Sequence, residues 1–379
     1  MSFDETTSLI MTSFAPPATL DIQQNLGITP SNAQGPRITN STLLSSQSTG
    51  LAISCFTMIF GTISNLTGLG ILGRSRIRFR RQSRAPFLSL TVALLLADLG
   101  GHVIPGAFAL YLHINQISKS KSVKPTKGFC NLFGAIMVFF GLCPLLLGCA
   151  MAVERWVAIT KPFFHASTVT VTHIKCVVLL LSTCALVLAV LPFFGVGNYT
   201  TQTPGTWCFL PVHDPQTVVD TSLVLVFSCV GLIALTLSLL CNILSCVALF
   251  QSRAKSLHGH TSQSARCARR ASSASTSSLV CSLDVEMMVQ LVALTVVSCV
   301  CWSPFLVHIF LMQLNQKPRA SAMMKEGFIL VGLRMASWNQ ILDPWVYILF
   351  RRAVLLRVCC GPHTRKLTVA KSNSCDETQ

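Results

Sequence analysis

The sequence is short of charge. Only 11% of its 379 residues are Asp, Glu, Lys or Arg, and 13 are acidic, whereas ordinary soluble domains are about a quarter charged. That excludes a soluble globular protein. The alternating segments of ~10 residues that build a transmembrane barrel are missing, and so is the internal repeat that many transporters carry. No paired nucleophile and base, metal-ligand cluster or phosphate-binding loop appears, so the residues support neither an enzyme nor a cofactor. The first 40 residues lack a basic stretch followed by an apolar core, so no cleaved signal peptide is expected and the first apolar helix acts as its own insertion signal.

What the chain has instead is hydrophobic length. Runs of about 20 apolar residues recur, each long enough to cross a hydrocarbon core roughly 30 Å thick. They predict seven helices, over 48–72, 86–113, 130–156, 174–196, 217–250, 285–313 and 327–350. The expected fold is therefore an all-α membrane protein, a seven-transmembrane helix bundle over 48–350. It is preceded by an extracellular tail, 1–47, and followed by a short cytoplasmic amphipathic helix and tail, 351–379. The Ser- and Arg-rich loop 251–284, with "SSASTSS", reads as disordered and open to phosphorylation.

Orientation follows from the basic residues, which are retained on the cytoplasmic side of short loops. With the N-terminus outside, 19 of the 29 Lys and Arg fall in cytoplasmic loops and tail. The four lysines of the 114–129 loop run against that bias. Two glycosylation acceptors, Asn40 in "NST" and Asn198 in "NYT", fall outside in the same topology, while Asn65 in "NLT" is mid-helix and unreachable. The net charge of +16 needs no nucleic acid, because "GRSRIRFRRQSRA" faces the anionic lipids of the inner leaflet. Of the cysteines, Cys130 and Cys208 alone are predicted on the oxidising side, which makes one candidate disulfide between the third helix and the 197–216 loop.

Charged residues inside the membrane are costly, face a bundle interior and usually act there. Arg155 ends the third helix at the cytoplasmic mouth, with Glu154 beside it and Asp284 on the sixth helix as a second partner. Such a pair suits a latch, although a lone snorkelling arginine would look the same. Asp98, Asp343 and Asn339, with Asn65, lie near mid-membrane and suggest a hydrated network, or plain interhelical hydrogen bonding. Pro304, two residues from Trp302, and Pro344, three residues before Tyr347, each remove a helix hydrogen bond and permit a kink. Arg334 stands roughly 13 Å above Asp343, towards the outer face. A guanidinium there can hold a carboxylate bidentately, so the inferred ligand is an anion with an apolar body; a structural salt bridge to Glu326 or Asp220 is the alternative.

The motifs "GTISN", "LLLADL", "AVERW", "CWSPF" and "NQILDPWVY", in order and at matching depth, resemble those of rhodopsin-class G-protein-coupled receptors. Two features depart from that pattern: Glu-Arg-Trp replaces Asp-Arg-Tyr, and the fourth helix has no tryptophan. "PGTWCFL" and "LRMASWNQILDPWVYILFRR" are similar to the prostanoid receptors, over roughly residues 48–360. That resemblance implies a fatty-acid-derived carboxylate ligand held by Arg334, with Thr206 as a second donor and Trp207, Met137 and Ser337 around it. Where the family places a tyrosine for the carboxylate, this chain has His113, with Tyr111 about 200° round the helix. "DLGGHVIPGA" and "DVEMMVQLV" are most similar to the first subtype of prostaglandin E receptor, so prostaglandin E2 is the expected ligand, and the F type is the near alternative. The resemblance further implies a plasma-membrane receptor coupled to a heterotrimeric G protein of the Gq class, with calcium release and arrestin as a partner; Cys359 and Cys360, just after "LFRRAVLLRV", are candidates for palmitoylation beside the amphipathic helix. An amine receptor would need an acid where this chain has Met137, and a transporter remains the alternative of another class.

Overall fold

The computed structural model describes residues 37–78, 85–119, 125–212, 217–261, 271–314 and 322–349, with only the backbone course given at several helix ends. The helices are α1 (Arg37–Arg78), α2 (Ala85–Lys119), α3 (Lys127–Thr160), the short α4 (Pro162–Thr168), α5 (Val171–Val190), α6 (Val218–Thr261), α7 (Ala271–Leu314) and α8 (Ala322–Leu349). One antiparallel hairpin, β1 (Thr200–Gln202) and β2 (Trp207–Phe209), lies between α5 and α6. Among the described residues, six helices are long and apolar enough to cross a membrane. The other long helix, α8, carries Arg334, Asn339 and Asp343 and packs against α1, α2 and α7.

Most helices outrun their apolar runs, because the run marks only the part in hydrocarbon. The largest difference is in the segment 251–284, expected to be disordered. The backbone is helical over 251–261 and 271–284, and 262–270 lies outside the described residues. The stretch 271–284 contains neither glycine nor proline, so nothing in it interrupts the helix that the apolar run continues. The side chains of Asn40 and Asp284, the residues Cys359 and Cys360, and the expected amphipathic helix after 350 also lie outside what is described.

α3 is the central element, contacting α2, α5, α6, α7 and the hairpin. Two interhelical ties, one of them to α3, use backbone carbonyls that prolines have freed. Pro144 has no N–H for the carbonyl of Phe140, and Gln340 Nε2 of α8 donates to that oxygen at 3.1 Å. Pro344 likewise frees the carbonyl of Gln340, and Asn65 Nδ2 of α1 donates to it at 3.0 Å. Pro344, expected to permit a kink, and Pro144 thus both create acceptors, and each acceptor ties two helices in a medium where an unpaired carbonyl is expensive.

Candidate functional site

The hairpin forms a lid over one end of the bundle. Cys208 on β2 is disulfide-bonded to Cys130 in the first turn of α3. Register pairs Thr200 with Phe209, Thr201 with Cys208 and Gln202 with Trp207. Gly205 turns the chain at φ 93°, a conformation open to glycine. The lid is pinned on three further sides. Tyr199 Oη donates to the Ala189 carbonyl of α5 at 2.8 Å, and Gln313 Nε2 of α7 donates to Val212 at 2.9 Å. Gly134 of α3 lies against the Tyr199 ring so closely that a Cβ would overlap it. Burial pushes the Tyr199 phenol well above its ordinary range, so it stays a donor.

Asp220, one alternative partner for Arg334, is occupied elsewhere. Its carboxylate accepts from the backbone N–H of Asn198 at 2.9 Å and of Thr217 at 3.2 Å, while Thr217 Oγ1 accepts from its N–H at 3.1 Å. That is a reciprocal cap on α6. The Glu326 side chain lies outside the described residues.

Arg334 is half-buried at the lid end of α8, and among the described residues its guanidinium makes no hydrogen bond or ion pair. His113 of α2 is near enough for the two to interact electrostatically, and its Nε2 lies 3.4 Å from Ser54 Oγ of α1. Gly50 lets α1 approach that ring, since a Cβ there would sit 3.3 Å from its Cε1. Tyr111 is exposed and turned away, its ring 5.3 Å from Phe129. Thr206 is buried in the lid with no hydrogen bond to its hydroxyl among the described residues, whereas Trp207 Nε1 is taken by the Thr203 carbonyl at 3.1 Å. Ser337 spends its proton on the Arg334 carbonyl at 2.7 Å, leaving only its lone pairs for anything else.

Below the lid runs an apolar floor. Phe209 of β2 meets Phe227 of α6 and Phe305 of α7 edge-on, at 5.2 and 5.9 Å, and Trp302 stands 6.3 Å from Phe305. Gly141 of α3 faces Trp302 and Phe227, and Met137, one turn away on the same face, is half-buried. Lid and floor supply buried aromatic and apolar surface, and Arg334 supplies a cation with no acidic partner among the described residues.

Mid-bundle, Asp98 and Asp343 are fully buried and interact, and Asn339 Nδ2 donates to Asp343 Oδ2 at 3.1 Å. Tyr347 Oη donates to the Met151 sulfur at 3.7 Å. At the far end Arg155 is sealed in. Its Nε and Nη2 donate to the two Glu154 oxygens at 2.5 and 2.6 Å, Nη1 points to the Met287 sulfur at 3.7 Å, and the guanidinium lies 4.8 Å from the centre of the Phe87 ring. The expected snorkelling alternative does not describe a side chain this buried. One participant escaped the sequence reading: His165 of α4 donates from Nε2 to Glu154 Oε1 at 2.8 Å. Its only signal was a histidine eleven residues past Glu154, beyond a proline that turns the chain back.

Comparisons with known proteins identify the family. The family model described as 7 transmembrane receptor (rhodopsin family) matches residues 76–347. The prostaglandin E2 receptor EP1 subtype of Rattus norvegicus is 38% identical, over 89% of this chain and 91% of the relative, and that of Canis lupus familiaris is 42% identical over 80% of each. The chain belongs to the prostanoid receptors of the rhodopsin family. It is therefore a G-protein-coupled receptor and not an enzyme, and a multi-pass protein of the plasma membrane. The prostaglandin F2-alpha receptor of Homo sapiens is similar to nearly the same degree, 37% identical over 89% of each chain. Squid rhodopsin shares the fold at TM-score 0.64 and 17% identity, covering 87% of this chain and 92% of its own.

Proposed function

We propose that this receptor binds prostaglandin E2 and signals through a Gq-class G protein, phospholipase C and calcium. The observation that carries the reading is Arg334, a half-buried cation at the lid end with no carboxylate partner among the described residues. The ligand's carboxylate satisfies it, with His113 and Thr206 as added donors and Met137 and Trp207 against the apolar body. Ligand binding favours the arrangement in which α7 swings away from α3, releasing Arg155 from Glu154 and from Asp284 and opening a cavity for the G protein. A ligand can shift that balance only by its difference in affinity between the two states.

In this reading the lid is extracellular and α4 cytoplasmic. Asn40 and the exposed Asn198 carry glycans, Cys359 and Cys360 are palmitoylated, and arrestin engages the active cytoplasmic face. The similarity to the human prostaglandin F2-alpha receptor supports a second reading, an F-type ligand. The test is a panel of E, F, D and thromboxane-like agonists on cells expressing the chain, read by calcium and by cAMP. The expected result is a calcium response led by prostaglandin E2; a response led by the F ligand selects the second reading, and silence to all four rejects both.

A further inference from the structure

Below Trp302, one polar contact crosses the seam between α6 and α7. Asn242 Nδ2 donates to Thr295 Oγ1 at 2.6 Å, and both residues are buried. Asn242 belongs to a buried row on α6, with Ser238 one turn before it and Ser245 one turn after, while Leu239, Leu240, Ile243 and Leu244 between them face outward. The row therefore points into the bundle by helical periodicity.

Thr295 sits on the part of α7 that has to move. It lies nine residues, roughly 13 Å, from Pro304 and eight from Met287, which touches Arg155. Rotation of about 20° at Pro304, the scale of a proline kink, carries Thr295 roughly 4.5 Å, which is further than a hydrogen bond can follow. A small cavity adjoins the contact, lined by Ser238, Thr295, Ser298 and Asp343, so the buried network on α8 shares a wall with it. Asn242 Oδ1 and Ser245 Oγ are buried with no hydrogen-bond partner among the described residues. Buried polar atoms left unpaired ask for an explanation; here they are spare capacity that a shifted α7 can use.

We propose that the Asn242–Thr295 hydrogen bond is a brake on α7 that holds the receptor in its Arg155-latched state. Asn242 and Thr295 act as positioning residues; neither touches ligand or G protein. The inference rests on the receptor reading above only for its readout, because a brake is measured without agonist.

The experiment is basal nucleotide exchange on a panel of G proteins, in membranes carrying the full chain and normalised to surface receptor. Thr295→Val, isosteric but without the hydroxyl, is expected to raise basal exchange roughly fivefold, the scale of one neutral buried hydrogen bond. Asn242→Ala should raise it comparably, the double variant no further than the larger single, and Thr295→Ser should leave it at the wild-type level. Thr295→Cys supplies the same comparison if the valine variant does not reach the surface. Wild-type basal exchange in the variants that lack the bond, or additive effects in the double, overturns the brake. A chain that ignores prostaglandin E2 yet shows the basal rise refutes the ligand and leaves the brake standing. A normal prostaglandin E2 response with a flat basal series does the reverse.

Discussion

Replacing His165 with alanine removes one bond from the Arg155 latch and leaves the rest in place. The bond runs 2.8 Å to Glu154 Oε1, between side chains only 9% and 4% exposed, so solvent screening discounts it little. A hydrogen bond to a charged, desolvated acceptor contributes about 1.5–3 kcal/mol. Taking the lower figure as the loss to the latched state, the balance moves about tenfold towards release. A released population near 1% would then approach 10%. Glu154 keeps its two bonds from Arg155, so the latch is weakened and not abolished; Glu154→Gln, which removes the anion both partners hold, should go further. The assay is agonist-free G-protein activation per surface receptor. If His165→Ala left basal activity unchanged while lowering the maximal agonist response, His165 would be holding α4 for partner docking, and its place in the latch would be refuted.

Three other expectations concern the lid and the surface. Cys208→Ser opens a closure spanning 78 residues, a constraint on the unfolded chain of about 4.5 kcal/mol in the loop-entropy account, and should abolish specific prostaglandin binding at the surface. Gly134→Val drives branched carbons into the Tyr199 ring; overpacking of that kind costs about 1–3 kcal/mol, so the detergent-solubilised receptor should melt several degrees lower, and an unchanged melting point would contradict the packing. Asn198→Gln should remove one glycan, seen as increased gel mobility that deglycosylase treatment no longer produces at that site; no difference would count against an extracellular lid.

The seven spans were legible because hydrocarbon allows no substitute for about 20 apolar residues in a row. Arg334, Asp98 and Asp343 were legible for the converse reason: an ionisable group inside such a run is conspicuous. The helix ends were not, since nothing apolar marks where a helix continues into water, and 251–284 was read as loop from composition alone. His165 and the Asn242–Thr295 contact were missed because each depends on distance in space between residues that are ordinary in sequence. Pro344 was read for the bond it removes, and Pro144 was not singled out at all. The carbonyls they free, taken by Gln340 and Asn65, become visible only when the neighbouring helices are in place.

The central claim is that Arg334 holds a carboxylate. It is tested by the affinities of prostaglandin E2 and its methyl ester for the wild type and Arg334→Gln, with surface expression matched. A charge-assisted bond contributes about 1.5–3 kcal/mol, so the variant should lose roughly 10- to 150-fold for the acid, and the wild type should prefer acid over ester by a similar factor. The ester should bind both proteins nearly alike. Equal affinity of wild type and variant for the acid would contradict the account.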